Sequence, residues 1–146
     1  MRRIIGPVTI AVLVVMIFQA LFGIAYVHGD SMEPTFQEGN VLLLKKWGTP
    51  GKGTIVTAYI QELDCAVVKR ILAVEGDNIT VYQDRIYLNG QEAAEVVIGE
   101  QKEQEIFLLP DQYFLIGDNQ GVSLDSRTFG CVGKADICGT VICKLF

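Results

Sequence analysis

Residues 54–74, which read TIVTAYIQELDCAVVKRILAV, decide the fold class of this chain. Two runs rich in β-branched residues, 54–60 and 65–74, flank a polar connection. Runs of this composition that are bounded by turn residues are typical of β-strands. We therefore predict two consecutive strands at the centre of the chain.

Shorter apolar runs continue this pattern on both sides of the two strands. Further strands are predicted at residues 41–45, 79–82, 85–88, 106–109 and 113–116 and within 132–145. Gln83 and Asp84 are predicted to form a two-residue hairpin turn, and the charged residues 92–105 an exposed excursion. Short strands at this spacing predict a mainly β fold, an antiparallel β-sheet domain of the barrel or sandwich kind.

The N-terminal segment differs from the rest of the chain. Residues 4–25 carry no charge, and they are long enough for one helix to cross a bilayer, which takes about 20 apolar residues. Arg2 and Arg3 precede the segment, and Asp30 and Glu33 follow it. The positive-inside rule then puts the N-terminus in the cytoplasm. We expect a single-pass protein of the cell membrane with one N-terminal transmembrane helix.

This interpretation divides the chain in two, with the lipid bilayer as one partner. Residues 1–25 are expected to form a cytoplasmic tip and the anchor, and residues 26–146 an extracytoplasmic β-rich domain. A cleavable secretory signal, with Arg2 and Arg3 as its basic region, is the alternative. Both interpretations export the remainder of the chain.

Charge and cysteine content argue against several kinds of partner. The chain has 17 acidic and 12 basic residues, and it shows no basic stripe, so we expect no nucleic-acid partner. Without a CxxC pair and with a single histidine, we expect neither a metal site nor a cofactor. The cysteines, which allow three disulfide pairings or could all be buried thiols, are Cys65, Cys131, Cys138 and Cys143.

The single histidine also limits the possible hydrolase mechanisms. His28 lies three residues before Ser31, where it is poorly placed to act as the base of a Ser-His-Asp triad. A buried lysine can replace histidine, because desolvation disfavours the charged ammonium. Lys69 is the candidate, since it shares one face of an apolar strand with Val67 and Ile71. An edge-strand lysine that prevents aggregation is the alternative.

Two polar segments give this lysine a context. Ser31-Met32-Glu33-Pro34-Thr35 puts a serine in a proline-containing turn soon after the apolar segment, and residues 117–130 form the loop GDNQGVSLDSRTFG. Each alone is typical of an ordinary turn or loop. Together with residues 53–56 and 68–77, and in this order, they resemble the motifs of the bacterial type I signal peptidases, a family of Ser-Lys serine proteases.

The resemblance implies the activity and its two central residues. It implies a serine endopeptidase that removes N-terminal signal peptides from secretory preproteins after small-x-small sites such as Ala-x-Ala. Ser31 would be the nucleophile and Lys69 the general base. Another Ser-Lys peptidase that processes pilins or conjugation proteins, or an inactive membrane-anchored β-domain that binds partners, are the alternatives.

The resemblance also implies supporting and substrate-binding residues. Ser123 matches the family serine that orients the lysine, and Asp125 with Arg127 would form a pair that holds the loop, a surface ion pair being the alternative. The remaining expectations are a supporting role for Asp118 and a lining of the substrate pockets by Met32 and Val68.

Three positions depart from the family motifs. Gln120 stands where the loop usually has arginine, and Thr54 replaces an aspartate. Gly29 occupies the position where some members have a serine that helps to hold the oxyanion. The backbone N–H of Ser31 is expected to contribute to the oxyanion hole, and its second donor is left open.

Overall fold

The computed structural model describes residues 2–82, 85–95 and 104–146. The predicted hairpin turn at Gln83 and Asp84 and most of the predicted excursion at residues 92–105 lie outside the described residues.

The described residues form two helices, two short 3-10 turns and eleven strands. The helices are α1 (Arg2–Leu21) and α2 (Ser126–Phe129), and the 3-10 turns are Gln61–Leu63 and Lys134–Asp136. The strands are β1 (Phe22–Tyr26), β2 (Val41–Lys45), β3 (Ile55–Ile60), β4 (Cys65–Val74), β5 (Asn78–Tyr82), β6 (Arg85–Leu88), β7 (Gln91–Glu95), β8 (Gln104–Phe107), β9 (Gln112–Ile116), β10 (Val132–Gly133) and β11 (Ile137–Lys144).

The strands pair into two antiparallel sheets. The large sheet has seven strands in the order β1-β2-β11-β3-β4-β9-β10, and the small sheet has four in the order β7-β6-β5-β8. The two strands predicted within residues 54–74, β3 and β4, lie side by side in the large sheet, with Val56 opposite Lys69. The predicted mainly β antiparallel fold is confirmed.

Apolar clusters hold the two sheets together. Phe114 of β9, which is fully buried, packs in one cluster with Ile79 and Ile86 of the small sheet. A second cluster, around Val56 and Leu115, lies within the large sheet. The small sheet therefore covers one part of the large sheet and leaves the region around β1, β2 and Ser31 to a third cluster.

The predicted helix over residues 4–25 is wrong at its C-terminal boundary. Helix α1 ends at Leu21, and the next residues form β1, in which Phe22 lies opposite Lys45 and Tyr26 opposite Val41. Across the described residues, no helix is both long enough and apolar enough to span a membrane. Apolar composition does not separate helix from strand; the pairing with β2 decides the boundary.

Candidate active site

The turn that carries Ser31 is fixed by packing and by backbone hydrogen bonds. It follows β1, and the Phe36 N–H donates to the carbonyl of Met32 at 2.9 Å. The Met32 side chain is 1% exposed and packs with Val27 and Leu42. The Asn119 N–H donates to the Ser31 carbonyl at 3.0 Å. The serine backbone is thus held both from its own turn and from the loop that follows β9.

Strand β4 brings Lys69 to this serine. The Lys69 Nζ lies 2.6 Å from Ser31 Oγ, and the lysine is 3% exposed. Burial lowers the pKa of the Lys69 amine below its ordinary value; the carboxylate of Asp125 opposes this shift, and the guanidinium of Arg127 adds to it. The lowered pKa widens the pH range in which the amine is neutral, and a neutral amine at this distance can accept the proton of a hydroxyl.

Ser123, which the resemblance predicts to orient the lysine, lies close to this pair but forms no hydrogen bond with Lys69. Its Oγ is buried and has no hydrogen-bond partner among the described residues. A Cβ built on Gly117 would lie 2.1 Å from Ser123 Oγ and 2.6 Å from the Ser31 carbonyl oxygen. Ser123 and the serine turn therefore converge on Gly117, where only glycine leaves enough space.

Asp125 and Arg127 form a buried ion pair, so the alternative of a surface pair does not hold. Arg127 Nε donates to Asp125 Oδ1 at 2.7 Å and Arg127 Nη2 donates to Oδ2 at 2.8 Å, with the two side chains 4% and 0% exposed. Asp125 also accepts from the Gly117 N–H, and Arg127 donates to the carbonyls of Gln120 and Ser123. The pair thereby fixes both ends of the loop that contains Ser123.

Asp118 belongs to a second ion pair, and its partner Arg70 was missed from the sequence. Arg70 Nε and Nη2 donate to the two carboxylate oxygens of Asp118 at 2.7 and 2.6 Å, and Thr35 Oγ1 donates to Oδ2 at 2.5 Å. Burial raises the pKa of Asp118, but hydrogen bonds from Arg70 and Thr35 lower the pKa below its ordinary value. This group joins the serine turn, β4 and the loop after β9. The signal was present, because Arg70 directly follows Lys69 in the quoted motif.

Two further polar residues were also missed. Ser126 Oγ accepts a hydrogen bond from the Leu115 N–H at 2.9 Å and ties α2 to β9. Asp77 accepts from the Val74 N–H and from the side chains of Asn89 and Lys52, and it closes the turn between the two sheets. Both residues lie inside the quoted motifs, but nothing in their local sequence separates a buried aspartate or serine from an exposed one.

A groove of about 320 Å³ opens beside Ser31 and Lys69. Its lining includes Met32 and Val68, the two residues predicted to contact substrate. The other lining residues come from the end of β1, the segment after it and β4: Tyr26, Val27, His28, Cys65, Ala66 and Val67. The groove therefore lies between two extended segments, a shape suited to a peptide in extended conformation.

Gly29 has a backbone conformation that explains its identity. Its φ is +76°, and a Cβ built on it meets nothing within 4 Å. Space would permit a serine at this position, but the positive φ would strain it. The absence of the family serine here is thus consistent with the local backbone.

The cysteines and the described acidic residues form no candidate metal site. All four cysteines are free thiols. Within residues 2–82, 85–95 and 104–146, no group of three or more His, Cys, Asp or Glu side chains is arranged to hold a metal ion.

Comparisons with known proteins agree in pointing to one family. A family model described as signal peptidase, peptidase S26, matches residues 1–146. Signal peptidase I V of Bacillus subtilis (strain 168) is 32% identical over 158 residues, which cover 94% of each chain. Signal peptidase I of Bacillus licheniformis is 32% identical over 93% of this chain and 83% of its own.

A solved structure shares the fold. The crystal structure of a signal peptidase I from Enterococcus faecalis V583 superposes with a TM-score of 0.52 and 24% sequence identity. The match covers 65% of this chain and 98% of that one.

Proposed function

Because this chain belongs to the bacterial type I signal peptidases of the peptidase S26 family, we propose that it removes N-terminal signal peptides from secretory preproteins with Ser31 as nucleophile and Lys69 as general base. The single observation that carries this proposal is the contact of 2.6 Å between Lys69 Nζ and Ser31 Oγ inside a buried site. A lysine that only protects a strand edge would point into solvent, whereas this one is 3% exposed.

The proposed reaction begins with attack of Ser31 Oγ on the scissile carbonyl. Neutral Lys69 accepts the hydroxyl proton and then delivers it to the leaving amine, which leaves an ester between Ser31 and the new carboxyl end of the leader. Lys69 next accepts a proton from the water that attacks the ester, and it returns this proton to Ser31 Oγ as the ester bond breaks and the leader is released. The Ser31 N–H is proposed as one donor to the developing oxyanion.

Two ion pairs support this chemistry by positioning. Asp125 with Arg127 holds the segment that carries Ser123, and Asp118 with Arg70 holds the serine turn through Thr35. Because both pairs form hydrogen bonds to each carboxylate oxygen, they define orientation as well as distance. Such preorganisation is how an active site favours the transition state without moving groups during the reaction.

The groove beside Ser31 is the proposed substrate site. A leader would add as an extended strand along β4, with small side chains one and three residues before the cut facing Met32 and Val68. Met32 is almost fully buried, so it forms a floor rather than an open pocket. Little depth is then left for large side chains, which supports a preference for Ala-x-Ala sites.

Attachment to the cell membrane is part of the proposal. Every residue of α1 from Pro7 to Leu21 is exposed, including apolar side chains on all faces of the helix. A helix that is apolar all round and that touches the rest of the protein only near its C-terminal end is suited to lipid. We propose that α1 and the arginines before it anchor the chain, with the remainder on the extracytoplasmic side.

The test is cleavage of a preprotein with an Ala-x-Ala site by the full chain in detergent. We expect cleavage after the second alanine and a loss of about 10⁴-fold or more in Ser31→Ala and Lys69→Ala. An inert wild-type chain on several leaders, or an active Lys69→Ala variant, would exclude the lysine-base mechanism. Circular dichroism of each variant separates lost chemistry from lost folding.

A further inference from the structure

Two cavities meet at Lys46, where α1 enters the large sheet. One, of about 320 Å³, is lined by Phe18, Gln19, Phe22, Gly23, Ile24 and Lys46. The other, of about 190 Å³, has a lining that includes Lys45, Lys46, Trp47 and Lys134. The first is lined mainly by apolar residues and the second carries three lysines, and Lys46 lines both, so an apolar cavity and a basic cavity are neighbours on this surface.

The charges of the second cavity stand out against the chain as a whole. The protein carries a net charge of −5, yet no aspartate or glutamate lines either cavity. Lys134 has an exposed partner in Asp111 at 3.4 Å, and Lys46 Nζ donates to the Gln19 carbonyl at 3.0 Å. Lys45 has no side-chain partner among the hydrogen bonds and ion pairs of the described residues. An anion would therefore gain charge compensation here.

Contacts between aromatic rings fix the side chains that line the apolar cavity. The rings of Phe18 and Phe22 stack with centroids 4.7 Å apart, and Trp47 meets Phe22 edge to face at 5.0 Å. Trp47 remains 46% exposed and Ile24 60% exposed. Tryptophan beside lysine at the end of an apolar helix is the composition favoured at a membrane–water interface.

We propose that this surface binds one anionic phospholipid, with its phosphate among Lys45, Lys46 and Lys134 and an acyl chain along Phe18, Phe22 and Ile24. The inference rests on the membrane attachment proposed above, because only then does the end of α1 lie at the lipid headgroups. A headgroup with net negative charge fits better than a zwitterionic one, since three lysines line the basic cavity and, among the described residues, Asp111 is the one carboxylate that forms an ion pair with any of them.

Trp47 makes the proposal measurable, because it is the one tryptophan of the chain. The full chain is placed in phosphatidylcholine vesicles, and phosphatidylglycerol with brominated acyl chains is titrated in while tryptophan fluorescence is recorded. Quenching is expected at much lower lipid fractions than with brominated phosphatidylcholine. Lys45→Gln and Lys134→Gln are each expected to raise the half-quenching fraction about five-fold, the effect of one lysine near an anionic surface.

Lys144→Gln is the matched control, since this exposed lysine lies on the same strand as part of the basic cavity but lines neither cavity. Equal quenching by both brominated lipids, an equal effect of Lys144→Gln, or displacement by soluble glycerol 3-phosphate would each overturn the proposal. Preprotein cleavage by the same samples separates the outcomes. Lost lipid preference with intact cleavage removes only the lipid site, and retained preference without cleavage removes only the proposed activity.

Discussion

The large sheet and the loop after β9 contain buried ionisable residues. In the strands of the small sheet, as far as the structure describes them, every buried residue is apolar. Lys69 and Asp125 are 3% and 0% exposed, and Ile79 and Ile86 of the small sheet are both fully buried. The ion pairs differ in the same way. Arg127 and Asp125 are 4% and 0% exposed, while Arg85 and Glu92 of the small sheet are 47% and 45% exposed.

This difference separates two uses of the interior. Burying a charge costs free energy that only close partners and hydrogen bonds offset, so the large sheet gives up stability around Ser31 in return for defined geometry. The small sheet contributes apolar burial through Phe114 and the residues packed on it. Substitutions in the two regions should therefore affect activity and stability in opposite proportions.

The largest expected effect comes from replacing the buried amine. Lys69→Met should reduce kcat/KM for a preprotein by about 10⁴-fold or more, because the proposed base is lost. The same change should raise the free energy of unfolding by about 0.5–2 kcal/mol, since an apolar chain replaces a desolvated amine. Denaturant unfolding together with a cleavage assay measures both. A destabilised variant would contradict the inference that burying the Lys69 amine costs stability.

The pH dependence follows from the lowered pKa of Lys69. Between that lowered pKa and the ordinary lysine pKa, the unfolded chain binds more protons than the folded one, so wild-type stability should rise with pH across this window. Lys69→Met should lack this rise. Wild-type kcat/KM should fall as pH drops through the lowered pKa, because the amine becomes protonated.

The second expected effect compares the two ion pairs directly. Asp125→Asn leaves Arg127 buried without its counter-charge and should cost about 3–5 kcal/mol of unfolding free energy. Glu92→Gln makes the same chemical change in the exposed pair and should cost less than about 1 kcal/mol. Equal losses of unfolding free energy in chemical denaturation would show that burial does not determine how much each ion pair contributes to stability.

Gly117 tests how closely the loop fits the serine turn. Gly117→Ala adds a Cβ that would lie 2.6 Å from the Ser31 carbonyl, so the turn must shift, and misplacement of about 1 Å costs about 100-fold in rate. Gly121→Ala is the control, because its Cβ would meet its nearest neighbour, Asn119 Oδ1, at 3.9 Å. Preprotein cleavage should remain near the wild-type rate in this control.

The smallest effect is expected in the small sheet. Ile86→Val removes one buried methyl group and should lower the unfolding free energy by about 0.5–1.5 kcal/mol. Because Ile86 packs in the apolar cluster between the two sheets and does not line the groove beside Ser31, kcat/KM should stay unchanged. A loss of activity larger than the loss of stability would indicate that the small sheet positions the catalytic groups.

Much of the fold could be predicted because the residue composition that favours β-strands can be recognised within short stretches of sequence. The β-branched runs at residues 54–60 and 65–74 became neighbouring strands, and Lys69 shares its strand face with apolar residues. The end of α1 could not be predicted, since residues 22–25 are as apolar as the helix before them. Whether these residues form helix or strand depends on their pairing with β2, which lies nearly twenty residues further along the chain.

The candidate site was predictable as a set of motifs but not as an arrangement. Ser31 and Lys69 are 38 positions apart, and their contact requires the β4 register and the packing of Met32. Arg70 was missed because a charged residue next to a buried one normally faces solvent on the opposite side of a strand. Here Asp118 comes from another loop to meet it.

Helix α1 ends at Leu21 and β1 begins at Phe22, so no linker residue separates them. A strand of five residues advances about 16 Å, and Tyr26 at its far end lines the groove beside Ser31. With α1 in lipid, as proposed, the groove lies at a fixed distance from the end of the helix, because no flexible linker joins the two. Under the proposed function, a leader embedded in that bilayer must reach the groove across this distance, so we expect the length of a leader, as well as its side chains, to decide where it is cut.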